Sequence, residues 1–308
     1  MIDYRDSLLS EIHELQQMLK GLPAEAVIQR ISFENRLKGA RKALEQESLN
    51  PTPSRVMLTF RGRPVDGSRG VAADFGGKAA AAFTDAFAAV VAGLNDCLQF
   101  KGPIPERTKN QLLITGTAVG SFGFEFELPA VDLPSEANKA EDALQKMQAL
   151  LEASAIGSDD DLGDLVDAIH PRAVKKISEF LGLLSQNQAW CGVEFKNKIF
   201  KFAGLEQLTE SVGRLAEANI REVRETYHGQ FVGVLPNSRS FEFQTTDALI
   251  KGRVGLGVDD PDLINRSWLK RDVEITLDAV QVGQGRPRFT LNSLDLATTP
   301  IPPPQNQT

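Results

Sequence analysis

Three histidines are the residues of this chain best suited to proton transfer or metal binding near neutral pH. His13 lies among charged residues of a predicted helix, a pattern typical of a solvent-exposed position. His170 follows Asp164 and Asp167 at three-residue spacing, which would place three metal-ligand types on one helical face. Acidic residues ahead of a helix are more often caps and solvated side chains. The sequence therefore predicts no metal site, no cofactor and no catalytic residue.

The acidic run 159–164 has the composition of a calcium-binding loop but not its spacing. An EF-hand loop needs glycine at its sixth position and glutamate at its twelfth. Counted from Asp159, Gly163 is fifth and His170 is twelfth. The chain also has no Walker-type lysine motif and no Gly-x-Ser-x-Gly motif. We therefore expect a protein that is not an enzyme, although a Ser-His-Asp set assembled in space stays open.

Aromatic and basic residues alternate through the last third of the chain, as they do in barrels that bind single-stranded nucleic acid. Most of these aromatic residues also have the spacing of strand core positions, and acidic residues balance the basic ones across this region. Nucleic-acid binding is therefore an alternative interpretation. The candidate ligand- or nucleic-acid-binding residues are Tyr227, His228, Arg239, Lys251, Arg253, Arg286 and Arg288.

The negative charge of the chain is concentrated in one segment. Residues 135–169 contain nine acidic and two basic side chains, which equals the whole net charge of -7. The rest of the chain is near neutral, so no region has the broad positive charge of a non-specific DNA-binding protein. An acidic segment of this kind repels nucleic acid or docks on a basic partner. The candidate partner-binding residues are Asp159, Asp160, Asp161 and Asp164.

An imperfect internal repeat is the strongest sign of architecture. An apolar strand, a turn with a basic residue on each side, a return strand, a helix and a second hairpin occur in residues 58–126 and again in 193–243. Gly62 and Asn197 lie at the two turn centres, where a tight hairpin needs positive φ. The pattern predicts a duplicated ββαββ unit, with two unrelated hairpins of similar turn chemistry as the alternative.

The N-terminal residues predict a pair of helices. Leu8, Ile12, Leu15 and Leu19 form one apolar stripe, and Phe33, Leu37, Ala40 and Leu44 form another with the same spacing. Such a pair must bury its stripes against its own domain or against a partner subunit.

The complete prediction is an α+β protein with an N-terminal helical hairpin, a duplicated ββαββ unit with a helical insert, and a small C-terminal β-barrel of the OB or SH3-like type. The predicted segments are 1–50 (helical hairpin), 51–133 (first ββαββ copy), 134–189 (acidic helical insert), 190–297 (second copy merging into the barrel) and 298–308 (Pro-rich tail).

Composition predicts a cytoplasmic protein. No stretch reaches the roughly 20 apolar residues of a membrane span, and the N-terminus lacks the pattern of a signal peptide. Cys97 and Cys191 lie far apart in apolar surroundings, which fits buried thiols in a reducing compartment.

We therefore expect an interaction or adaptor protein that binds a protein partner or self-associates. We expect no membrane partner. Nucleic-acid binding through the barrel is the first alternative. A small-ligand sensor or enzyme, with a pocket between the repeats near Tyr227 and His228, is the second.

Overall fold

The computed structural model describes residues 4–22, 27–49, 54–118, 122–129 and 134–294. The chain divides into two compact units, Met1–Ser54 and Arg55–Thr308. The predicted Pro-rich tail at 298–308 lies outside the described residues, as do three residues of the first repeat copy, 119–121.

The first unit contains two helices that pack on each other, α1 (Tyr4–Gly21) and α2 (Val27–Leu49). An ion pair joins Glu11 to Arg36 across them, with a nitrogen-to-oxygen distance of 2.9 Å. Leu15 and Ala40, one from each predicted stripe, are buried, while Leu9 and Met18 are exposed. The sequence thus predicted both helices.

The second unit is built from six helices and twelve strands among the described residues. The helices are α3 (Ala73–Leu94), α4 (Pro134–Ile156), α5 (Asp159–Asp167), α6 (Pro171–Gln186), α7 (Leu205–Arg214) and α8 (Asp262–Ser267). The strands are β1 (Arg55–Gly62), β2 (Val65–Asp66), β3 (Gly70–Val71), β4 (Leu113–Thr117), β5 (Gly123–Glu127), β6 (Ala189–Phe195), β7 (Lys198–Lys201), β8 (Ile220–Leu235), β9 (Ser240–Thr245), β10 (Leu249–Val254), β11 (Asp272–Val282) and β12 (Arg288–Leu291).

A five-stranded sheet carries the helical part of this unit. Its strand order is β4-β5-β1-β6-β7, and central β1 pairs antiparallel with β5 and β6. Alternate residues of β1, Val56, Leu58 and Phe60, are fully buried, as expected when one sheet face packs on helices. Residues of α3, α4, α5, α6 and α7 share the same hydrophobic core.

Helix α3 is the most apolar element of this core. Among the described residues it is the one helix long and apolar enough to cross a membrane, with a mean hydropathy of 1.3 over its best window. More than half of that window, 56%, is buried inside the fold. Phe83 on α3 is buried and contacts Phe126 of β5 and Phe180 of α6, so α3 packs as a core helix of this unit.

The structure does not confirm the predicted duplication. The second copy forms the expected hairpin, in which Lys196 and Asn197 both have positive φ and connect β6 to β7. After Gly62 in the first copy, β2 does not return along β1 but pairs with β3. The second hairpins differ as well, because β4 and β5 join the open sheet whereas β8 and β9 belong to the barrel. In the first copy Gly62 does not lie at a turn centre, because it is the last residue of β1 and pairs with Ala189 of β6.

Five strands form the predicted closed barrel, in the order β10-β12-β11-β8-β9. Sixteen-residue β8 pairs with both β9 and β11, and β10 pairs with β12 in parallel. Phe231, Phe241 and Phe243 fill the interior, which explains their alternation in the sequence.

We predict that Phe83→Ala lowers the free energy of unfolding by about 3 to 5 kcal/mol. The Phe83 ring on α3 lies 5.6 Å from the rings of both Phe126 and Phe180 and is 1% exposed, so its removal leaves a cavity. Urea unfolding measures the change. Leu113→Ala, at an exposed position on β4, is the control and should change stability by less than about 0.5 kcal/mol. Equal effects of the two substitutions would contradict this packing.

Candidate functional site

One groove at the barrel surface collects most of the predicted binding residues. It has a volume of about 900 Å³ and lies between α5, β8, the β9–β10 turn and the start of β12. Six of the seven predicted ligand-binding residues line it: Tyr227, His228, Lys251, Arg253, Arg286 and Arg288. The fold of the barrel brings residues of β8, β10, the β11–β12 loop and β12 to one surface. Their spacing in the sequence does not reveal this proximity.

The seventh residue, Arg239, lies outside the groove lining and has a different environment. Its guanidinium donates hydrogen bonds to the carbonyl oxygens of Val254, Gly255 and Val258. These bonds tie the β8–β9 turn to the segment after β10. Arg239 therefore stabilises two connections of the barrel.

Each exposed basic side chain of the groove lies beside an acidic side chain. Lys251 Nζ is 2.7 Å from Glu242, Arg253 is 3.3 Å from Asp167, and His228 Nε2 is 3.3 Å from Glu274. The side chains of Lys251, Arg253 and His228 remain more than half exposed. Because exposed ion pairs contribute little free energy, an anionic ligand could exchange with these acidic partners.

The loop between β11 and β12 is held by the N-terminal turn of α5. A carboxylate oxygen of Asp159 accepts a hydrogen bond from the backbone N–H of Gln284 at 3.0 Å, and Asp160 accepts one from the N–H of Arg286 at 2.7 Å. Asp159 also bonds to Arg214 at 3.0 Å. Both backbone hydrogen bonds lower the pKa of their carboxyl groups below the usual value.

Arg288 is the central cation of this contact. Its side chain is 12% exposed, and its guanidinium lies 2.9 Å from Asp164 and 3.3 Å from Asp160. It also donates to the carbonyl oxygens of Asp160 and Arg286. At Gly163 a side-chain carbon would lie 2.5 Å from the guanidinium, so glycine makes this approach feasible. Arg288 therefore fastens α5 to the barrel, and its free surface is small.

The predicted partner-binding aspartates have partners inside the chain. Asp159, Asp160 and Asp164 bond to Arg214, Arg286 and Arg288. Asp161 has another role, because it forms a capping box with Ser158 at the start of α5. From the sequence we expected the acidic and the basic residues to form surfaces for different partners. In the sequence, only their opposite charge could have indicated that these residues bind each other.

The aromatic residues of the barrel are not exposed stacking surfaces. Phe231, Phe241 and Phe243 are buried, and Tyr227 packs edge-on against Phe289 with ring centroids 5.8 Å apart. Burial raises the pKa of Tyr227 to about 12, and a hydrogen bond to Glu225 adds to this effect. The phenol is therefore neutral near pH 7 and cannot act as a base there.

The three candidate metal ligands around His170 do not form a site. His170 Nδ1 accepts a hydrogen bond from the backbone N–H of Arg172 at 3.2 Å and so caps α6. Burial lowers the pKa of His170, while Asp164 and Asp167 face arginines of the barrel. Within the part of the chain that the structure describes, no cluster of three or more His, Cys, Asp or Glu side chains could hold a metal ion.

No protein-family model, no curated protein and no solved structure matches this chain. The arrangement of the site is therefore the basis for any functional proposal.

We predict that acid weakens the contact between α5 and the barrel. The folded-state pKa values of Asp159 and Asp160 lie below their ordinary value of 3.8, so the ionised forms are favoured in the folded protein. This stabilisation is complete above pH 3.8 and is lost as the pH falls through the folded-state values. Thermal unfolding of the double variant Asp159→Asn/Asp160→Asn should give a lower midpoint than the native chain at pH 7.

The difference between variant and native chain should shrink towards zero below about pH 3.8. Asp66→Asn, at an exposed position on β2, is the control and should follow the native chain at every pH. A constant difference from pH 7 to pH 2.5 would show that the aspartate charges do not stabilise the contact.

Proposed function

We propose that this protein is a non-enzymatic interaction protein that self-associates through its N-terminal helical pair. The observation that carries the proposal is the incomplete burial of two regular apolar stripes in that unit. Of the stripe residues whose side chains are described, only Leu15 and Ala40 are buried. Ile12, Leu19, Phe33 and Leu37 remain partly exposed.

The stripes have coiled-coil spacing, because their residues recur at alternate intervals of four and three. Two helices alone cannot enclose such stripes, whereas a second pair would close a four-helix bundle around them. Exposed Leu9 and Met18 on α1 supply further apolar area for such a contact. A second copy of the chain brings the same stripes and can bury them symmetrically.

The second unit fits a binding role better than a catalytic one. The cations of the barrel groove have acidic partners, and the phenol of Tyr227 stays protonated near neutral pH. Cys97 and Cys191 are free thiols, which supports our assignment of the protein to the cytoplasm. We infer an adaptor that presents its second unit to a protein partner while the first unit holds copies together.

We predict that Met18→Asp weakens self-association at least about tenfold, because it places a charge in the apolar contact between copies. Met18 is 49% exposed in the single chain, so the substitution should leave the helices folded. Light scattering coupled to size-exclusion chromatography measures the mass across a concentration series, and circular dichroism checks helix content. Gln17→Asp, at a neighbouring exposed position, is the matched control.

The native chain and the control should have the mass of an oligomer, whereas Met18→Asp should have the mass of one chain at the lower concentrations. A monomeric native chain at all concentrations, or equal masses for the two variants, would refute the self-association proposal.

A second candidate function is nucleic-acid binding by the barrel. We assign the barrel to the OB type rather than the SH3-like type for two reasons. Its parallel β10–β12 pair interrupts the sequential strand order, and α8 connects the third barrel strand to the fourth. OB-type barrels are five-stranded Greek-key barrels that bind oligonucleotides and oligosaccharides. The groove cations Lys251 and Arg253 give this candidate its electrostatic support.

For this second candidate, we expect Lys251→Ala/Arg253→Ala to weaken binding of a fluorescein-labelled 20-nucleotide oligo(dT) by about tenfold. Loss of two phosphate contacts should lower the slope of log affinity against log salt by about 1 to 2. Fluorescence anisotropy between 50 and 200 mM salt measures both quantities. Arg266→Ala is the control, because this exposed cation does not line the groove. Equal binding by both variants, or none by the native chain at 50 mM salt, would exclude this candidate.

A further inference from the structure

The second unit contains another concave surface, which we call the interlayer cleft. It consists of two adjoining pockets of about 630 and 880 Å³ that share Phe100, Pro171, Glu222 and Val280. One wall comes from α5, α6 and the segment after α3, and the other comes from β8 and β11 of the barrel. Asp159, Asp160 and Asp164, which join α5 to the β11–β12 loop and to Arg288, do not line it.

Exposed apolar side chains gather in this cleft. Phe100 is 71% exposed, and Val223 and Leu256 are also well exposed. All three line the cleft, while Val166, Val174 and Leu215 form a buried apolar floor beneath one end. Exposed apolar residues grouped in a concave surface mark interaction sites, whereas scattered ones do not.

The exposed ring of Phe100 is held in place before any partner binds. It lies on the imidazole of His170, with ring centroids 5.0 Å apart. Arg172 on α6 fixes the same loop by donating hydrogen bonds to the carbonyl oxygens of Gln99, at 2.9 Å, and Gly102. A side chain ordered in this way loses little entropy on binding, which favours its use as an anchor.

The charge of the cleft selects the partner. Asp96 and Glu222 are exposed, and neither has an ion-pair partner among the described residues. Asp278, at the same end, is already paired with Arg224 at 2.6 Å. Lys101 lines the smaller pocket, as does Glu222, and Lys175 there is paired with Glu217 at 3.5 Å. A partner with apolar side chains and a Lys or Arg facing Asp96 and Glu222 would complement this distribution.

We propose that the interlayer cleft binds an extended segment of another protein, with apolar anchors around Phe100 and a basic residue at Asp96 and Glu222. Each pocket alone is as large as a site for a drug-sized molecule. Two adjoining pockets therefore suit a peptide chain that continues from one to the other. This inference rests on the proposed interaction function and names the chemistry of its protein partner.

The test is selection of 12-residue peptides displayed on phage against the immobilised full-length protein. Enriched sequences should combine Leu, Phe, Trp or Met with Lys or Arg. Synthetic fluorescein-labelled copies of the enriched peptides then give affinities by fluorescence anisotropy. Phe100→Ala should weaken binding about tenfold or more, as expected for an aromatic anchor, and the double variant Asp96→Lys/Glu222→Lys should weaken binding of the basic peptides by a similar factor.

Ile199→Ala is the matched control for Phe100→Ala, because it removes an exposed apolar side chain from β7, away from the cleft. Its affinity for the peptides should equal that of the native chain. Both Phe100 and Ile199 are exposed, so neither substitution should affect folding, and thermal unfolding checks this.

The proposal is overturned if no peptide is enriched over the blank support, if enriched peptides are acidic or polar, or if Phe100→Ala binds them like the native chain. A lower oligomeric mass for Phe100→Ala would assign the cleft to a second copy instead. Self-association measured with Met18→Asp is an independent readout. If the chain still self-associates but binds no peptide, the proposal for the cleft is refuted and the self-association proposal stands.

Discussion

The contact between α5 and the β11–β12 loop is the interaction on which the second unit depends. Two aspartates at the start of α5 accept backbone hydrogen bonds from this loop, and the largely buried guanidinium of Arg288 joins the same helix to β12. Burying a guanidinium is costly unless its donors have partners. Here two carboxylates and two carbonyl oxygens provide them. The barrel and the helical layer are thereby fixed to each other, and Val282 at the end of β11 continues into the main core.

This contact also determines which surfaces are free to bind. It uses the acidic residues that would otherwise meet a basic partner, together with Arg286 and Arg288 of the barrel. Lys251, Arg253 and His228 remain accessible in the groove, although each lies beside an acidic group. On the other side of α5 and α6, the same docking creates the interlayer cleft, whose walls come from both layers. Both concave surfaces therefore lie where the helical layer meets the barrel.

The two units differ in how completely they bury their apolar side chains. The second unit encloses a helical core and a barrel core of its own. The first unit has two helices and therefore too few surfaces to enclose its stripes, which is why we infer a second copy. An adaptor of this kind would be multivalent, because each copy brings one cleft to the assembly. Multivalency raises overall binding strength without new contacts when both sites can be engaged together.

Local patterns in the sequence determined the helices, the strands and the class of the fold. Stripe spacing predicted α1 and α2, the apolar run of the first repeat copy predicted β1, alternation predicted the barrel strands, and Asn197 lies in the predicted turn. These features depend on residues close in the chain. Only the tertiary structure decided which strands pair. The β4–β5 hairpin therefore lies in the open sheet, whereas the similar β8–β9 hairpin lies in the barrel. The tertiary structure also decided that Asp160 meets Arg286 across 126 residues, because charges reveal sign but not distance in space. Phe100 gave no sequence signal, since its exposure follows from the loop that Arg172 holds.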